Sequence, residues 1–370
     1  MRTTLFGSAK VHSGTPLPYE SFTGTFLTVK GEKTMKPFFT QTTQIGVVVK
    51  DLDATLEKYV HKYGIGPWKV YTFDNKNVDK LFIGHKPADY KMKLALCMIG
   101  KTMWELIQPI SDNTDYVRFL KEHGEGIHHV AVSMENTDDF FEFCKKYDLY
   151  PIQGGTWKCI GGNFLYDYRD TREDLKVITE LHGVDKGMEL PDPDYVYPAG
   201  PMPRQPVFTD VLQIGIICKD LESTLKAYTE KYGIGPWNRY RFDKDTVGDM
   251  KRLGKNVNYA MDLALGQIGN VQWELIQPLD DKSDYAIFLK EHGEGIHHVA
   301  LATAEKYGDA VKFCEKNGID QIQYGYWNHN FRYDYRDTRD DMKCIVELYG
   351  ADEGFDWPKP LAVYKVPAAV

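Results

Sequence analysis

The strongest constraint on the fold is an identical thirteen-residue stretch, FLKEHGEGIHHVA, which occurs at residues 119–131 and again at 288–300. Equivalent residues of the two copies differ by a constant number of positions, from Gln44 and Gln213 up to this stretch. A chain of 370 residues is long enough for two domains that each bury a core. The repeat therefore predicts two tandem copies of one domain.

The repeat also sets the expected boundaries. Domain 1 spans residues 41–188 and domain 2 spans 210–350, joined by a linker at 189–209 whose six prolines favour an extended, semi-rigid connection. Residues 1–40 form a polar N-terminal arm, expected to cover a domain or a partner subunit, and residues 351–370 form an unrepeated C-terminal tail. After Trp157 and Trp327 the second copy is three residues shorter, so the two pockets should differ in that loop.

Each domain is expected to contain two modules of one strand, one helix and three strands. In the first module, a strand at 44–49 precedes apolar residues at helical spacing in 51–63, and Gly64 then ends the helix. Strands at 93–99 and 102–109 follow. The pattern restarts at His129. Because consecutive elements usually lie adjacent in space, the short GEGIHHVA connection favours pairing of the two modules within a domain over exchange between domains.

Composition limits the classes of partner. A formal charge of −8 and a pI near 5.8 indicate no basic surface for nucleic acid or an anionic membrane, so a small-molecule substrate is expected. The six cysteines include no CxxC pair and suggest neither a thiolate zinc site nor disulfides. No leader pattern or long apolar run is present, which predicts a cytoplasmic protein. A homo-oligomer is compatible with the sequence.

Four strands of each domain offer one polar residue among apolar neighbours, a pattern that predicts a buried polar cluster. Strand alternation places each of them on a face shared with small or apolar residues. The positions are Gln44, Glu105, His129 and Glu180 in domain 1, and Gln213, Glu274, His298 and Glu347 in domain 2. The alternative is that the glutamates lie on the outer face and are solvated. Buried carboxylates need a partner, and a divalent cation satisfies two of them together with an imidazole, so we predict one metal site per domain.

The motifs that carry these residues resemble those of the vicinal oxygen chelate superfamily, which includes glyoxalase I, methylmalonyl-CoA epimerase, fosfomycin-resistance proteins and extradiol dioxygenases. They are QIGVVVKDLDATLEKYVHKYGIGPW, WELIQP, GEGIHHVAV and ITELHG, and the resemblance covers residues 41–183 and 210–350. It implies an α+β fold of two tandem glyoxalase-like domains, each a pair of βαβββ modules with curved mixed sheets around a metal site. GIGPW and GEGxHH are nearest to the epimerase branch. That branch has histidine where Gln44 and Gln213 stand, and the Gln-Glu-His-Glu set resembles the zinc-type glyoxalase I site instead.

The ligand types favour chemistry without redox change. An oxygen-rich Gln/Glu/His/Glu set suits Zn²⁺, Mg²⁺, Mn²⁺, Co²⁺ or Ni²⁺ acting as a Lewis acid. Non-haem Fe(II) oxygenases use two histidines and one carboxylate. Each domain supplies His129 or His298, whereas alternation turns His128 and His297 to the opposite face. Ring-cleaving dioxygenase activity is therefore disfavoured.

The resemblance implies an enzyme that transfers a proton next to a carbonyl. By analogy with glyoxalase I, Glu180 and Glu347 are the bases and Glu105 and Glu274 the second acid/base, whereas the epimerase branch uses glutamates that do not bind the metal. We expect a metal-dependent isomerase, epimerase or racemase acting through a metal-stabilised enolate on a small ketone or hydroxyketone, either aromatic or aliphatic. A glyoxalase-type lyase and a resistance-type protein that binds a small ligand are the alternatives.

The repeated aromatic residues leave the substrate class open. They either line a pocket for a ring-bearing substrate or form ordinary core. The pairs concerned are Trp68 with Trp237, Trp104 with Trp273, Trp157 with Trp327, and the YDYRDT segments at 166–171 and 333–338.

Overall fold

The computed structural model describes residues 37–134, 137–328 and 330–368, and within them two domains of matching architecture. The strands of domain 1 are β1 (Gln41–Val48), β2 (Trp68–Phe73), β3 (Val78–Ile83), β4 (Lys86–Pro87), β5 (Met92–Ile99), β6 (Thr102–Pro109), β7 (Gly126–Ser133), β8 (Pro151–Cys159), β9 (Gly162–Asp170), β10 (Ile178–Val184) and β11 (Tyr195–Tyr197). Its helices are α1 (Leu52–Glu57), continued by a π-helical turn (Lys58–Lys62), α2 (Asp115–Glu122), α3 (Thr137–Lys146) and α4 (Arg172–Leu175).

Domain 2 repeats this order. Its strands are β12 (Phe208–Ile217), β13 (Trp237–Phe242), β14 (Val247–Arg252), β15 (Lys255–Asn256), β16 (Met261–Ile268), β17 (Val271–Pro278), β18 (Gly295–Thr303), β19 (Gln321–Trp327), β20 (Phe331–Asp337), β21 (Ile345–Ala351) and β22 (Ala362–Tyr364). Its helices are α5 (Leu221–Lys226), continued by a π-helical turn (Ala227–Lys231), α6 (Asp284–His292), α7 (Tyr307–Lys316) and α8 (Arg339–Met342).

The two modules of each domain pair with each other, as the short connection between them predicts. In domain 1 the sheet order is β11-β2-β5-β6-β1-β7-β10-β9-β8-β3-β4. β1 is parallel to β6 in its own module and antiparallel to β7 at the start of the second module. Domain 2 has the equivalent order, with β12 joining β17 and β18. The first strands of both modules therefore lie at the centre of each sheet.

Each sheet curls until its two sides approach each other. In domain 1, residues 74–77 carry the chain from β2 on one side to β3, which pairs with β8 on the other side. The rings of Phe73 on β2 and Trp157 on β8 lie 4.6 Å apart. The curled sheet encloses an inner cluster of buried aromatic residues that includes Tyr166 and Tyr168. Domain 2 has its own inner cluster, with Trp327, Tyr333 and Tyr335 in equivalent places.

The outer faces of both sheets share one hydrophobic core with the helices, and this core joins the domains. On β1, Ile45 and Val47 face this shared core, whereas Val48 belongs to the inner cluster. Across the interface, the Tyr59 hydroxyl donates to the carbonyl of Met342 at 2.8 Å, and Tyr228 donates to Leu175 at 2.8 Å. Because these contacts are equivalent, the domains are related by a local twofold axis.

The expectation of an unrepeated tail is wrong. Residues 188–197, here strap 1, lie back on domain 1, where Tyr197 pairs with Trp68. Residues 355–364, strap 2, do the same on domain 2, where Tyr364 pairs with Trp237. The sequences MELPDPDYVY and FDWPKPLAVY share the pattern Pro-x-Pro-x-x-Val-Tyr, which carries the repeat past both domains.

Most of the predicted N-terminal arm lies outside the described residues. Of residues 1–40 only 37–40 are described, and the Phe38 ring packs 4.4 Å from that of Phe143. Phe39 lies 5.9 Å from Tyr232 of domain 2. No helix in the described part of the chain is long and apolar enough to cross a membrane.

Candidate metal centres

The structure brings the four predicted polar residues of domain 1 together on the inner face. They stand on the neighbouring strands β6, β1, β7 and β10. The Gln44 amide nitrogen donates to Glu105 Oε2 at 2.7 Å and to Glu180 Oε2 at 3.2 Å. His129 Nε2 lies 3.5 Å from Glu105 Oε2 and 3.1 Å from Glu180 Oε2. All four side chains are buried, so neither glutamate lies on a solvated outer face.

Domain 2 holds the equivalent cluster. His298 Nε2 lies 3.4 Å from Glu274 Oε2 and 3.1 Å from Glu347 Oε2. The Gln213 nitrogen donates to Gln272 Oε1 at 2.7 Å. With the amide of Gln213 turned over, its nitrogen donates to Glu274 Oε2 at 3.2 Å and Glu347 Oε2 at 3.3 Å, which reproduces the arrangement in domain 1.

A glycine on the central strand makes room for each histidine ring. A Cβ atom added to Gly46 would lie 1.9 Å from Cε1 of His129, and one added to Gly215 would lie 1.8 Å from Cε1 of His298. Neither distance is physically possible for non-bonded atoms, so any larger residue would displace the imidazole. The pairs Gly46–His129 and Gly215–His298 face each other directly across the antiparallel strands.

The expectation that His128 and His297 face away from the site is wrong. Between Gly46 and Val47 the pairing with β7 skips His128, which is the extra residue of a β-bulge. The bulge turns its ring inwards, against Tyr168 of the inner cluster at 5.7 Å. The same shift occurs at His297. Simple strand alternation fails at these two positions because a bulge interrupts it.

The inward turn creates a line of hydrogen bonds behind each inner histidine. His128 Nδ1 lies 3.1 Å from His129 Nδ1, and His128 Nε2 lies 2.9 Å from Asp115 Oδ2. Since Asp115 accepts from Nε2–H, His128 accepts at Nδ1 from His129, which leaves His129 Nε2 aimed at the carboxylates. Burial, opposed only in part by Asp115, lowers the pKa of His128 to about 4. Domain 2 repeats this line: His297 Nδ1 lies 3.0 Å from His298 Nδ1, and His297 Nε2 lies 3.0 Å from Asp284 Oδ2.

The two clusters differ at a side chain beside the second glutamate, which the sequence analysis missed. His182 Nε2 lies 3.0 Å from Glu180 Oε2 in domain 1, and Tyr349 occupies this place in domain 2. Both residues stand two positions after the cluster glutamate and so share its face. That spacing could have identified them from the sequence.

This difference changes the electrostatics of equivalent carboxylates. Burial opposes ionisation of Glu180, but His182 and His129 outweigh it and hold the pKa of Glu180 well below its usual range. In domain 2 burial prevails over His298 and raises the pKa of Glu347 to about 7. Burial also disfavours charge on His129, yet Glu180 and Glu105 together raise the pKa of that imidazole to about 9.

The geometry of each cluster fits a divalent cation. The ligand atoms of Glu105, His129 and Glu180 lie within 4.8 Å of one another, as do those of the equivalent domain 2 residues. Ligands bound about 2.0–2.2 Å from a tetrahedral ion lie roughly 3–3.5 Å apart, which agrees with the distances from His129 Nε2. That nitrogen and Nε2 of His298 are buried, and although carboxylate oxygens lie close to them, neither nitrogen makes an aligned hydrogen bond among the described residues. A cation would satisfy both nitrogens.

The straps bring one further side chain to each pocket. In domain 2 a cavity of about 20 Å³ is enclosed by cluster residues and aromatic side chains, including Trp357 of strap 2. Trp357 packs 5.2 Å from Trp327. Strap 1 carries Leu190 at this position, and its Glu189 pairs with Ile160 of the longer β8–β9 hairpin. The pockets therefore differ at the predicted loop and also at the strap.

The repeated aromatic residues divide between pocket and core. Trp157, Trp327 and the tyrosines of the YDYRDT segments belong to the inner clusters. Tyr333 and Tyr335 line the domain 2 cavity. In contrast, Trp68, Trp104, Trp237 and Trp273 belong to the core shared by the domains.

Two curled sheets, each built from a pair of βαβββ modules around a buried Glu/His/Glu group, define a tandem half-barrel protein. The chain belongs to the Glyoxalase/Bleomycin resistance protein/Dioxygenase superfamily, whose family model matches residues 43–166 and 212–334. This confirms the family and the fold class that the sequence motifs indicate. A search of curated proteins finds no match.

The chain is similar to several solved structures. A variant of 4-hydroxymandelate synthase from Streptomyces coelicolor aligns over 87% of this chain and 95% of its own, with 14% identity and a TM-score of 0.54. The Mn(II)-bound glyoxalase from Novosphingobium aromaticivorans aligns over 90% and 89%, with 13% identity and a TM-score of 0.47. Methylmalonyl-CoA epimerase from Mycobacterium tuberculosis covers 40% of this chain and 90% of its own, with 19% identity and a TM-score of 0.32. At 14% identity the synthase shows a common fold and nothing about the reaction.

Proposed function

We propose that each domain binds one divalent cation and catalyses proton transfer next to a carbonyl group, as an isomerase, epimerase or racemase. The ligands are Glu105, His129 and Glu180 in domain 1, with the amide oxygen of Gln44 as the fourth. Glu274, His298, Glu347 and Gln213 are their equivalents. A bound cation supplies Lewis-acid polarisation of the carbonyl oxygen and stabilises the negative charge left by the departing proton.

The observation that carries the proposal is the pair of buried carboxylates beside one imidazole. In domain 2, Glu274 and Glu347 both lie within 3.4 Å of His298 Nε2 and both line the cavity. One carboxylate can remove the α-proton while the other delivers a proton elsewhere on the substrate. We assign Glu347 as the base and Glu274 as the second acid/base, with Glu180 and Glu105 in the same roles in domain 1. The surrounding tyrosine and tryptophan rings exclude water and favour a ring-bearing ketone or hydroxyketone.

Hydrogen exchange in D₂O tests this reaction directly. Incubation of the metal-loaded protein with a panel of aryl ketones and hydroxyketones should incorporate deuterium at the α-carbon, as measured by NMR. The double variant Glu180→Gln/Glu347→Gln should incorporate deuterium more slowly, by a factor on the order of 100 or more, since general base catalysis contributes about that much. Glu353→Gln, at an exposed position, is the matched control. Absence of metal-dependent exchange across the panel contradicts the proposal.

Metal content provides a second, independent test. Elemental analysis of the dialysed protein should give two divalent ions per chain. Glu347→Ala should reduce this to one, because it removes a ligand from domain 2 alone. A content of one ion that Glu347→Ala leaves unchanged would show that domain 2 does not bind metal.

One observation favours a second candidate function in domain 1. His129 and His182 both contact Glu180 Oε2, so this domain carries two imidazoles and a carboxylate, the ligand types of non-haem Fe(II) oxygenases. The sequence argument against a dioxygenase counted one inward histidine per domain and did not include His182. Oxygen uptake by the Fe(II)-loaded protein, measured with the same ketone panel, distinguishes the two functions. Uptake that Tyr349→Phe preserves and His182→Phe abolishes would favour an oxygenase.

A further inference from the structure

A cavity of about 360 Å³ lies between the two domains on the local twofold axis. Its lining consists of equivalent pairs from the two domains, and it does not include the carboxylates of either cluster. The volume lies within the range of pockets that bind small organic ligands, roughly 300–1,000 Å³. The cavity is thus large enough for a ligand of one or two rings.

Part of the lining of this axial cavity is apolar. Phe119 and Ile127 form one side, and their partners Phe288 and Ile296 form the other. Ile178, Ile345, Val177 and Cys344 also line it and are buried. Apolar lining residues contributed by both domains favour the body of an aromatic or aliphatic ligand over water.

Cationic side chains predominate among the charged residues of the lining. Four basic residues line the cavity together with two carboxylates, those of Glu125 and Glu294. The two lysines form ion pairs across the domain interface, Lys343 with Glu125 at 3.0 Å and Lys176 with Glu294 at 3.4 Å. The carboxylates of the lining are therefore already paired.

The remaining basic residues are the arginines, which keep donors for a ligand. Arg172 uses Nε and Nη2 to bind Asp170 at 2.8 and 2.6 Å. Arg339 binds Asp337 through the same two nitrogens at the same distances. Within the described residues no hydrogen bond engages Nη1 of either arginine. His123 and His292 stand beside them in the lining and add two further donors.

We propose that the axial cavity binds an amphipathic organic monoanion, an aryl carboxylate or a compound of equivalent shape. Its anionic group would bind between Arg172 and Arg339, and its ring would lie between Phe119 and Phe288. This site is separate from the centres inside the sheets and requires neither a metal nor catalysis there.

Binding in this cavity reaches both candidate metal centres. His128 and His297 line the cavity, and each is one hydrogen bond from an inner histidine, at 3.1 Å to His129 and 3.0 Å to His298. The imidazole rings of both residues are fully buried, so a ligand acts on them by displacing the strands β7 and β18, which also carry His129 and His298. The cavity is placed to act as an effector site common to both domains.

Titration calorimetry with 1-naphthoate tests the proposal on the full-length protein. One molecule should bind per chain, and Arg172→Leu/Arg339→Leu should weaken binding on the order of tenfold or more, because two charge-assisted contacts are lost. Arg241→Leu is the control, since Arg241 pairs with Asp262 and is 42% exposed, close to the 43% of Arg172. Val177→Phe, which fills the cavity from a buried wall, should also abolish binding.

Imidazole NMR signals locate the bound probe. Resonances of His128 and His297 should shift on addition of 1-naphthoate, with or without EDTA. The proposal is overturned by undetectable binding at millimolar probe, by equal affinity in the double arginine variant, or by two molecules per chain that EDTA displaces. The last result would place the probe inside the sheets and would leave the proposed function intact.

Discussion

At the scale of single residues, the contact between His182 and Glu180 is the main difference between the two candidate metal centres. A partner that orients a ligand is worth roughly 10–100-fold in metal affinity. We therefore expect His182→Tyr to weaken the domain 1 site by that factor and Tyr349→His to strengthen the domain 2 site. Co²⁺ titration followed by visible absorption measures both affinities, with His85→Tyr, at an exposed position, as the control. Equal affinities in all four proteins would show that His182 does not support the site.

The paired histidines predict how stability depends on pH. His128 and His297 have pKa values of about 4 in the folded protein, because burial disfavours their charged form, against about 6.5 when unfolded. Between pH 6.5 and 4 the unfolded chain binds protons that the folded chain does not. The free energy of unfolding should therefore fall as the pH falls through this window, on the order of 3 kcal/mol per histidine. Urea denaturation should show this slope, and His128→Asn/His297→Asn should flatten it. A slope unchanged in that variant contradicts the assignment.

The same residues show what the sequence could and could not predict about the site. Gln44, Glu105, His129 and Glu180 were found because each interrupts an apolar strand and recurs in the second copy. The second copy has a tyrosine, Tyr349, at the position of His182, so a comparison that looks for identical residues in both copies does not identify His182. His128 was assigned to the wrong face because a bulge is a property of the pairing between two strands, and the sequence of one strand does not reveal it.

At the scale of elements, the straps decide access to the pockets. Trp357 encloses a domain 2 cavity of about 20 Å³, which is room for an ion or a water molecule but not for a substrate. Strap 2 is fixed at its end by Tyr364, whose hydroxyl donates to Glu222 at 2.5 Å. Tyr195 and Asp53 hold strap 1 at 2.7 Å. Substrate entry into domain 2 therefore requires strap 2 to move.

This role predicts the effect of opening the strap. Trp357→Ala should destabilise strap 2 by about 2 kcal/mol. This is less than the cost of replacing a fully buried tryptophan, because Trp357 is only partly buried. Thermolysin should then cut within residues 355–364 faster than in the parent protein. Leu190→Ala, the equivalent change in strap 1, should leave cleavage of strap 2 unchanged. Cleavage that is no faster in Trp357→Ala would mean that Trp357 does not hold the strap.

At the scale of the whole molecule, the shared core predicts that both domains unfold together. Lys62 and Tyr63 of domain 1 bind Asp341 of domain 2, and Lys231 and Tyr232 bind Asp174 in return. Separation of the domains would also expose the apolar faces that form the common core. Calorimetry of the full chain should show one transition, and residues 1–200 alone should not persist as a monomer. Two well-separated transitions, or a stable monomeric half, would contradict this.

The tandem architecture was predictable because the long identical repeat and its spacing are visible in the sequence itself, without knowledge of long-range contacts. The way in which the domains pack was not. Tyr59 and Tyr63 are predicted on a helix face from their spacing, but their partners, Met342 and Asp341, lie more than 270 residues away in the sequence. The straps were missed because proline-rich segments carry little periodic signal, and their shared Pro-x-Pro-x-x-Val-Tyr pattern is short.

The straps redefine the unit that this chain contains twice. Each copy runs from a central strand of its sheet to the tyrosine that ends its strap. It carries on its surface both halves of the interdomain contact, a lysine on the π-helical turn and an aspartate eight strands later. A single copy is thus complementary to itself: two separate molecules of it could associate face to face and reproduce every reciprocal contact across the axis. Because the two copies lie in one chain, their sequences are free to differ. Histidine can stand in one centre and tyrosine in the other, leucine in one strap and tryptophan in the other, which no assembly of identical chains permits.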